Sequence, residues 1–232
     1  MLYIVSTPIG NLKDITLRAL EVLKRVDLIA CEDTRHTRIL TNHYQIKTPL
    51  TSYFEHNKFT KADYLLRLLK EGKDVALVSD AGTPGISDPG YRIIKLALDN
   101  NIIVTALPGP CALVNALVLS SAATDKFIFE GFLSPKKQAR LKRLMELEKE
   151  TRTIILYESP HRLIKLLMDI LEVFGDVEIA CVREMTKKFE ELKKEKVDIL
   201  IKHFTKHRPR GEFVVILPRR AKVGKKNYFK TR

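Results

Sequence analysis

Residues 79–90 of the sequence read SDAGTPGISDPG. It follows an apolar run at residues 75–78 and precedes an apolar helical pattern that begins at Tyr91. Five of its twelve residues are Gly or Pro and two are Asp, so it predicts a stiff, acidic turn between a strand and a helix. In open parallel sheets, ligands bind outside the carboxyl ends of the strands. The stretch therefore predicts a strand–turn–helix unit and, in its turn, a ligand-binding loop.

The rest of the chain repeats this alternation of short apolar runs and longer helical patterns. In the first half it predicts strands at residues 2–6, 27–31, 74–79 and 102–107, and helices at 15–25, 37–44, 58–71, 91–100 and 112–121. In the second half it predicts strands at 127–130, 153–157, 177–182 and 212–217, and helices at 136–149, 160–174 and 189–204. Such alternation is typical of parallel α/β sheets with covered faces.

A small polar segment, SSAATD at residues 120–125, separates the two halves. We therefore predict an α/β fold with two α/β domains, residues 1–121 and 122–218, followed by a basic tail at 219–232. At the helix ends, we expect Asp14 to cap the helix at 15–25, Pro160 to lie in the first turn of the helix at 160–174, and Gly175 to cap that helix at its end.

Composition indicates an ordinary globular protein. The chain has 232 residues, of which 45 % are hydrophobic, and it has no apolar run of the roughly 18 residues that a transmembrane helix needs. Its first ten residues do not resemble a signal peptide, so we expect a cytoplasmic protein without a membrane partner. The three cysteines, Cys31, Cys111 and Cys181, are far apart and odd in number, which predicts free thiols in a reducing compartment.

Positive charge is concentrated in the second half of the chain. The net charge is +13 overall, and it is +2 over residues 1–120 against +11 over residues 121–232. The segment KKQARLKR at 136–143 is one basic cluster, and the residues from Lys202 onward carry eleven Lys and Arg with Glu212 as the one acid. A solvated surface explains a single charge run, but this asymmetry favours a polyanionic partner such as nucleic acid.

Six polar or Gly/Pro-containing loops follow predicted strands, at residues 6–14, 32–37, 79–90, 108–112, 157–162 and 183–191. Taken singly, each also reads as an ordinary turn or helix cap; Asp33 or Thr34, for example, is a good cap for the helix after EDTR. None contains a dinucleotide or triphosphate fingerprint or a G-x-S-x-G elbow, and none has a metal-ligand pattern.

Together, STPIGNLKDIT, EDTRHT, SDAGTPGISDPG, PGPCA, YESPHR and REMTKKFEE, in this order and spacing, resemble one family. It is the bacterial 16S ribosomal RNA cytidine 2′-O-ribose methyltransferase family, within the tetrapyrrole methylase superfamily. The resemblance implies a class III methyltransferase that binds S-adenosylmethionine in a cleft between two α/β domains, usually as a homodimer. It extends from Met1 to about Leu217.

The resemblance also implies which residues bind the cofactor. They lie in the loop after the first strand, in the Gly/Asp loop, in the PGPCA loop and in three strands of the second domain: Pro8, Gly10, Asp80, Gly82, Thr83, Pro84, Pro108, Gly109, Cys111, Ala112, Leu113, Tyr157, Val182 and Phe213. Asp80 is the expected polar contact to the cofactor, whereas Asp88 is expected to cap the following helix.

The chain departs from the family pattern at two places. Many members carry a further C-terminal helical segment, where this chain has a short basic tail, and Ser134 is an insertion in GFLSPKK at 131–137. The second departure changes the register of a loop that is a candidate for RNA contact.

Methyl transfer to a ribose hydroxyl needs in-line positioning and benefits from a nearby base or cation. The candidates for that role are Glu32, Asp33, His161, Glu184 and Lys187, and the sequence does not choose among them. Phosphate contacts are expected from Arg35, Lys136, Lys137, Arg162 and Lys187. No metal is required.

We expect 16S rRNA, within the 30S subunit, as the substrate. Two alternatives are a methyltransferase of the same superfamily that acts on a small macrocycle, and a non-catalytic RNA-binding module.

Overall fold

A computed structural model describes residues 1–219, so the rest of the predicted basic tail lies outside the described residues. The chain divides into two compact units. The first comprises Met1–Ala112 together with Met185–Lys188, and the second comprises Leu113–Glu184 and the residues from Phe189 onward. The predicted domain boundary between residues 121 and 122 stays a prediction; the first segment of the first compact unit ends earlier, at Ala112.

The first unit contains a five-stranded parallel sheet and four helices. Its strands are β1 (Leu2–Val5), β2 (Leu28–Cys31), β3 (Leu50–Ser52), β4 (Val75–Val78) and β5 (Val104–Leu107). Its helices are α1 (Leu17–Arg25), α2 (Thr34–His43), α3 (Lys58–Lys70) and α4 (Gly90–Asp99). The strand order is β3-β2-β4-β1-β5, and all pairs are parallel. The parallel sheet of the first half is therefore confirmed.

Alternation along each strand distributes the apolar side chains to two cores. Tyr3 and Val5 of β1 join one core with residues of α1 and α2, whereas Leu2 and Ile4 join the other with residues of α3 and α4. Because both faces are covered, the strands read as continuous apolar runs rather than as alternating ones. Strand β3 escaped prediction because it is a half-buried, three-residue edge strand, LTS, with no apolar run.

The second unit contains a mixed five-stranded sheet. Helix α5 (Ala112–Leu119) leads into it; its strands are β6 (Phe127–Phe132), β7 (Thr153–Glu158), β8 (Glu178–Arg183), β9 (Glu191–Lys196) and β10 (Phe213–Leu217). Its helices α6 (Lys137–Leu147), α7 (Leu163–Phe174) and α8 (Val197–Lys206) pack on one face of the sheet. The strand order is β6-β7-β10-β8-β9, and only β6 and β7 pair in parallel.

The prediction of a second parallel sheet is therefore wrong in part. Strands β6, β7 and β8 run in one direction, but β9 and β10 run in the other. The chain between β8 and β9, residues 184–190, is too short for a crossover to a parallel neighbour, so β9 forms an antiparallel pair at the sheet edge.

The single helix predicted at residues 189–204 is also wrong. The charged segment ELKKEK forms β9, and the helix begins only at Val197. Glu, Lys and Leu favour helices locally, but pairing of six β9 residues with β8 overrides that preference.

Three predictions concern helix ends. Thr16, not Asp14, caps α1, because its side chain accepts a hydrogen bond from the Ala19 amide while Asp14 lies in a separate 3-10 turn. Helix α7 begins at Leu163, and Pro160 lies in the turn before it. The expected cap at Gly175 is confirmed, with φ +74° and its N–H donating to the carbonyl of Leu171.

Two further features of residues 1–219 concern membranes and metals. None of their helices is long and apolar enough to cross a membrane. Nor does this part of the chain bring three or more His, Cys, Asp or Glu side chains together in an arrangement that would hold a metal ion.

Candidate functional site

The loops that follow β1, β4 and β5 are joined by backbone hydrogen bonds and hydroxyl groups. Thr7 and Gly82 exchange two backbone hydrogen bonds, of 2.9 and 3.0 Å, so the first-strand loop and the Gly/Asp loop form a short antiparallel bridge. The Thr83 hydroxyl lies 3.0 Å from Ser6 Oγ and donates to the Pro110 carbonyl at 3.1 Å. Neighbouring parallel strands end at one edge of the sheet, which is why these distant sequence motifs meet.

The hydroxyl groups of Ser6 and Thr7 were not among the predicted site residues. Thr7 Oγ1 donates to the Ser79 carbonyl at 3.0 Å, across 72 residues of chain. Both residues stand in the quoted STPIGNL loop, but no sequence pattern indicates partners so far away. Both residues are buried, and their hydrogen bonds join the loops of the site.

Gly10 and Gly109 stand where no other residue fits. A Cβ on Gly109 would lie 2.6 Å from Ser6 Cβ, and a Cβ on Gly10 would lie 2.5 Å from Lys187 Cγ and 2.8 Å from the Met185 carbonyl oxygen. Real Cβ atoms do not approach other atoms this closely, so each glycine permits a close approach of two loops. The glycines were predicted for contact with a ligand; the contact that the structure shows is loop against loop.

The two aspartates of the opening stretch have different partners. Asp80 Oδ1 accepts the Asp33 amide at 3.0 Å, and its second oxygen has no hydrogen bond from residues 1–219. Asp88 accepts the amides of Gly85 and Gly90, the latter at 2.7 Å, and thereby holds the start of α4. Burial raises the pKa of Asp88. Asp80 is the aspartate with hydrogen-bonding capacity left for a ligand.

The EDTR loop after β2 contains a helix cap and a cavity-lining carboxylate. Asp33 caps α2 by accepting the Arg35 amide at 2.8 Å, and the Arg35 guanidinium at 2.7 Å lowers the pKa of Asp33 to about 2. A carboxylate with so low a pKa is a poor general base.

Glu32 lines a small cavity together with Tyr53, Ser79, Pro84 and Asp88 among others. Tyr53 was missed because it directly follows the unpredicted β3.

The segment Met185–Lys188 belongs to the first unit although it follows β8 in sequence. The Asn11 amide donates to Thr186 Oγ1 at 3.1 Å, and Lys187 passes beside Gly10, as described above. Glu184 and Thr186 have φ values of +50° and +64°. Such φ values in residues other than glycine store strain that proteins keep mainly at functional sites. The predicted candidate Lys187 therefore lies, exposed, against the first-strand loop.

In the second unit, two hydrogen bonds join α5 and the segment after it to the sheet. The Leu113 amide of α5 donates to Tyr157 Oη at 3.1 Å, and Ser121, just after the end of α5, accepts from Lys194 of β9. Val182 is fully buried and pairs with Leu192 and Val214. Phe213 lies on the other face, with its ring 5.4 Å from that of Phe204, so only its backbone is available on the Tyr157 face.

The remaining predicted residues differ in exposure. His161 is exposed in the turn before α7, and the side chain of Arg35 is 87 % exposed. Lys136 is exposed at the start of α6, and Lys137 lies 3.5 Å from Glu172. Arg162, in contrast, is mostly buried and donates to the Leu133 carbonyl at 2.5 Å. The Leu133 carbonyl thus occupies Nη2 of Arg162, and the phosphate contact expected of this residue stays a prediction. Cys111 is half-buried, whereas Cys31 and Cys181 are buried, and all three are free thiols.

Comparison with known proteins places these motifs in a family context. Residues 1–200 match the family described as Tetrapyrrole (Corrin/Porphyrin) Methylases. A Thermotoga maritima protein named Ribosomal RNA small subunit methyltransferase I is 51 % identical over 216 residues, which is 93 % of this chain and 97 % of that protein. A Bacillus subtilis protein of the same name is 47 % identical over 217 residues, which is 94 % of this chain and 74 % of that protein.

Two solved structures share the fold. A uroporphyrin-III-C-methyltransferase from Thermus thermophilus has a TM-score of 0.67 at 20 % identity, with 93 % of each chain covered. A diphthine synthase has a TM-score of 0.75 at 14 % identity, with 94 % of this chain and 89 % of the other covered. The predicted fold class, a two-sheet α/β methyltransferase of class III, is confirmed.

Proposed function

The chain belongs to the tetrapyrrole (corrin/porphyrin) methylase family, and from this premise we propose that it methylates the ribose 2′-oxygen of a cytidine in 16S ribosomal RNA. S-adenosylmethionine is the methyl donor. The observation that carries the proposal is the 51 % identity to a ribosomal RNA small subunit methyltransferase over 93 % of this chain. The family match over residues 1–200 includes all the interlocked loops described above.

The residues of the first unit fit this cofactor. Asp80 has a carboxylate oxygen without a partner among residues 1–219, which suits a ribose hydroxyl or an ammonium group. The Thr7–Gly82 bridge and the Thr83–Pro110 contact fix the backbone of the two neighbouring loops before any ligand arrives. When bound, S-adenosylmethionine supplies a sulfonium methyl group for in-line transfer. Contacts from Pro8, Pro84, Pro108, Tyr157 and Val182 remain part of the proposal.

The chain has to hold the ribose and assist loss of its proton. A ribose hydroxyl is a weak nucleophile at neutral pH, so a base or a cation beside it lowers the barrier. Asp33 is unsuited, because its pKa is held near 2 by Arg35. Of the other candidates, Lys187 lies on a strained turn beside the first-strand loop, and Glu32 lines the cavity after β2. We propose Lys187 as the cation and Glu32 as the base, and positioning supplies a large part of the rate.

The RNA contacts are assigned to exposed cations. Lys136 and Arg35 are exposed, and Lys137 is only loosely paired, so each is accessible to a phosphate. The 2′-hydroxyl is the group that distinguishes RNA from DNA, and an unpaired nucleotide presents it best. The net charge of +11 in residues 121–232 argues against a small macrocycle, which needs no extended basic surface. A non-catalytic RNA-binding module would have no reason to keep the ordered cofactor loops.

We further propose that the chain acts in the cytoplasm, as a homodimer, on the assembled 30S subunit. Light scattering of the purified protein tests the dimer. The substrate test offers tritiated S-adenosylmethionine to 30S subunits and to deproteinised 16S RNA, with Asp80→Ala protein as the control. We expect label in the 30S arm, at a ribose-methylated cytidine, and little label with the control. Label in neither arm contradicts the proposed substrate.

A further inference from the structure

A buried ion pair lies beneath the N-terminal end of α6. Arg140 is 4 % exposed and Asp169 of α7 is 3 % exposed, and Arg140 Nε donates to Asp169 Oδ2 at 2.6 Å. Burying two charges is costly, and proteins replace such pairs with apolar side chains without loss of stability when nothing else depends on them. A role other than stability is therefore expected of this pair.

The guanidinium of Arg140 also holds the turn that precedes α6. Its Nη1 donates to the Ser134 carbonyl at 3.2 Å and to the Pro135 carbonyl at 3.1 Å. From the other side, Arg162 Nη2 donates to the Leu133 carbonyl at 2.5 Å. Two arginine side chains thus hold three consecutive carbonyls of the turn at residues 133–135, and we refer to this arrangement as the arginine clamp.

Arg162 is itself anchored by a buried carboxylate. Arg162 Nη2 lies 3.2 Å from Glu158 Oε2, and the Glu158 side chain is fully buried. Glu158 accepts the Ser159 amide at 2.7 Å, so it is fixed by the backbone at the end of β7. Each arginine is therefore paired with a carboxylate of the second unit, Arg140 by a hydrogen bond to Asp169 of α7 and Arg162 by an ion pair with Glu158 of β7.

The turn that is held in this way presents lysines to solvent. Lys136 and Lys137 follow directly after Pro135 and are exposed, and the Lys136 amide donates to Ser134 Oγ at 3.3 Å. Ser134 is the insertion noted in the sequence. The turn accommodates it because its carbonyl accepts a hydrogen bond from Arg140 and its hydroxyl accepts one from the Lys136 backbone amide. We propose that Arg140 and Arg162 are positioning residues, which hold this turn so that Lys136 and Lys137 meet the phosphate backbone of the RNA substrate. The inference rests on the RNA substrate of the proposed function.

The physical reason is preorganisation. A basic loop that is mobile before binding loses conformational entropy when it meets its ligand, and this loss weakens the affinity. Bonds from two anchored guanidinium groups to three backbone carbonyls remove that freedom in advance. Lysine cannot replace Arg140, because its donors all lie on one nitrogen, whereas Arg140 bonds Asp169 from Nε and the two carbonyls from Nη1.

The test removes the buried pair as a unit. In Arg140→Met/Asp169→Leu the net charge is unchanged and no lone charge is buried, so the protein is expected to fold. We expect the Kd for the RNA substrate that accepts label to rise about tenfold, as removal of a coupled contact does. The kcat at saturating RNA and the Kd for S-adenosylmethionine stay unchanged. The control, Lys95→Gln/Asp99→Asn, removes an exposed ion pair of the first unit and leaves all three quantities unchanged.

A double-mutant cycle then identifies the route of the effect. Lys136→Ala/Lys137→Ala should weaken RNA binding by itself, and loss of the clamp should add nothing in that background. A folded clamp variant with wild-type RNA affinity overturns the inference, and so does an effect that is fully additive with the lysine effect. If the lysine variant binds RNA normally, both the clamp and the proposed lysine contacts fail, while label transfer to the 30S subunit still tests the proposed function.

Thermal unfolding verifies that each variant is folded. If Arg140→Met/Asp169→Leu does not fold, Arg140→Lys carries the test, because it retains the charge beside Asp169 but not the fork. It is expected to shift RNA affinity in the same direction, and unchanged affinity in folded Arg140→Lys would then overturn the inference.

Discussion

Asp80 and Asp88 lie eight positions apart in one loop, and we predict that they separate binding from stability. Asp80→Asn keeps an oxygen for the Asp33 amide but loses the charge, so affinity for S-adenosylmethionine should fall about tenfold or more. Asp88→Ala frees the Gly85 and Gly90 amides, which should cost about 1 kcal/mol of unfolding free energy and leave affinity nearly unchanged. Calorimetric titration and urea unfolding measure the two quantities. The reverse pattern would contradict the assignment of Asp80.

The cysteines provide a test that needs no substitution. Burial raises the pKa of Cys181 to about 12 and also raises that of Cys31, so neither forms the reactive thiolate at neutral pH. Cys111 is half-buried in the loop after β5. We predict that iodoacetamide labels Cys111 alone in the native protein, and that S-adenosylmethionine slows the labelling. Mass spectrometry of tryptic peptides reads both results, and labelling unaffected by the cofactor would place Cys111 outside its site.

At the level of the helix, α2 should have an acid-dependent cap. Because Arg35 lowers the pKa of Asp33 to about 2, the stability that ionised Asp33 provides is complete above its unfolded pKa near 4. That stability is lost as the pH falls from about 4 towards 2, because the unfolded state then binds a proton that the folded state does not. Asn caps helices about as well as Asp but does not titrate. We therefore predict that Asp33→Asn has a smaller fall in Tm over this pH range than the wild type.

The pH test has a control within the same unit. Asp63 is an exposed carboxylate of α3, so Asp63→Asn removes a carboxylate without touching the α2 cap. If Asp33→Asn and the wild type lose Tm in parallel between pH 4 and 2, the cap does not carry the proposed charge.

At the level of the whole molecule, charge should determine the salt dependence of RNA binding. Residues 220–232 contain six Lys and Arg. Replacing these six with Gln keeps the chain length, and we predict a shallower slope of log Kd against log salt, by about 0.7 for each lost phosphate contact. Affinity for S-adenosylmethionine should not change. Filter binding at four salt concentrations measures the slope, and an unchanged slope would show that the tail contacts no phosphate.

Much of the first unit was predictable because its strands are buried on both faces. A continuous apolar run such as that of β4 is easily distinguished from the mixed apolar and polar pattern of a helix. Gly/Pro turns mark the ends of these strands. The second unit was less predictable, because the direction of β9 and β10 depends on connection length and on neighbours. For β9 the local preference of ELKKEK even opposes the observed strand.

For the site, residue type and spacing are enough to reveal the motifs, their order and the glycines that allow loops to approach closely. Which groups remain available for a ligand depends on the folded chain. In the structure the Asp33 amide donates to Asp80, and Arg162 donates to the Leu133 carbonyl. Lys187 lies beside Gly10. The physical reason is that a polar side chain satisfies its hydrogen bonds with whatever the fold brings near, and those partners lie from 29 to 177 positions away in the chain.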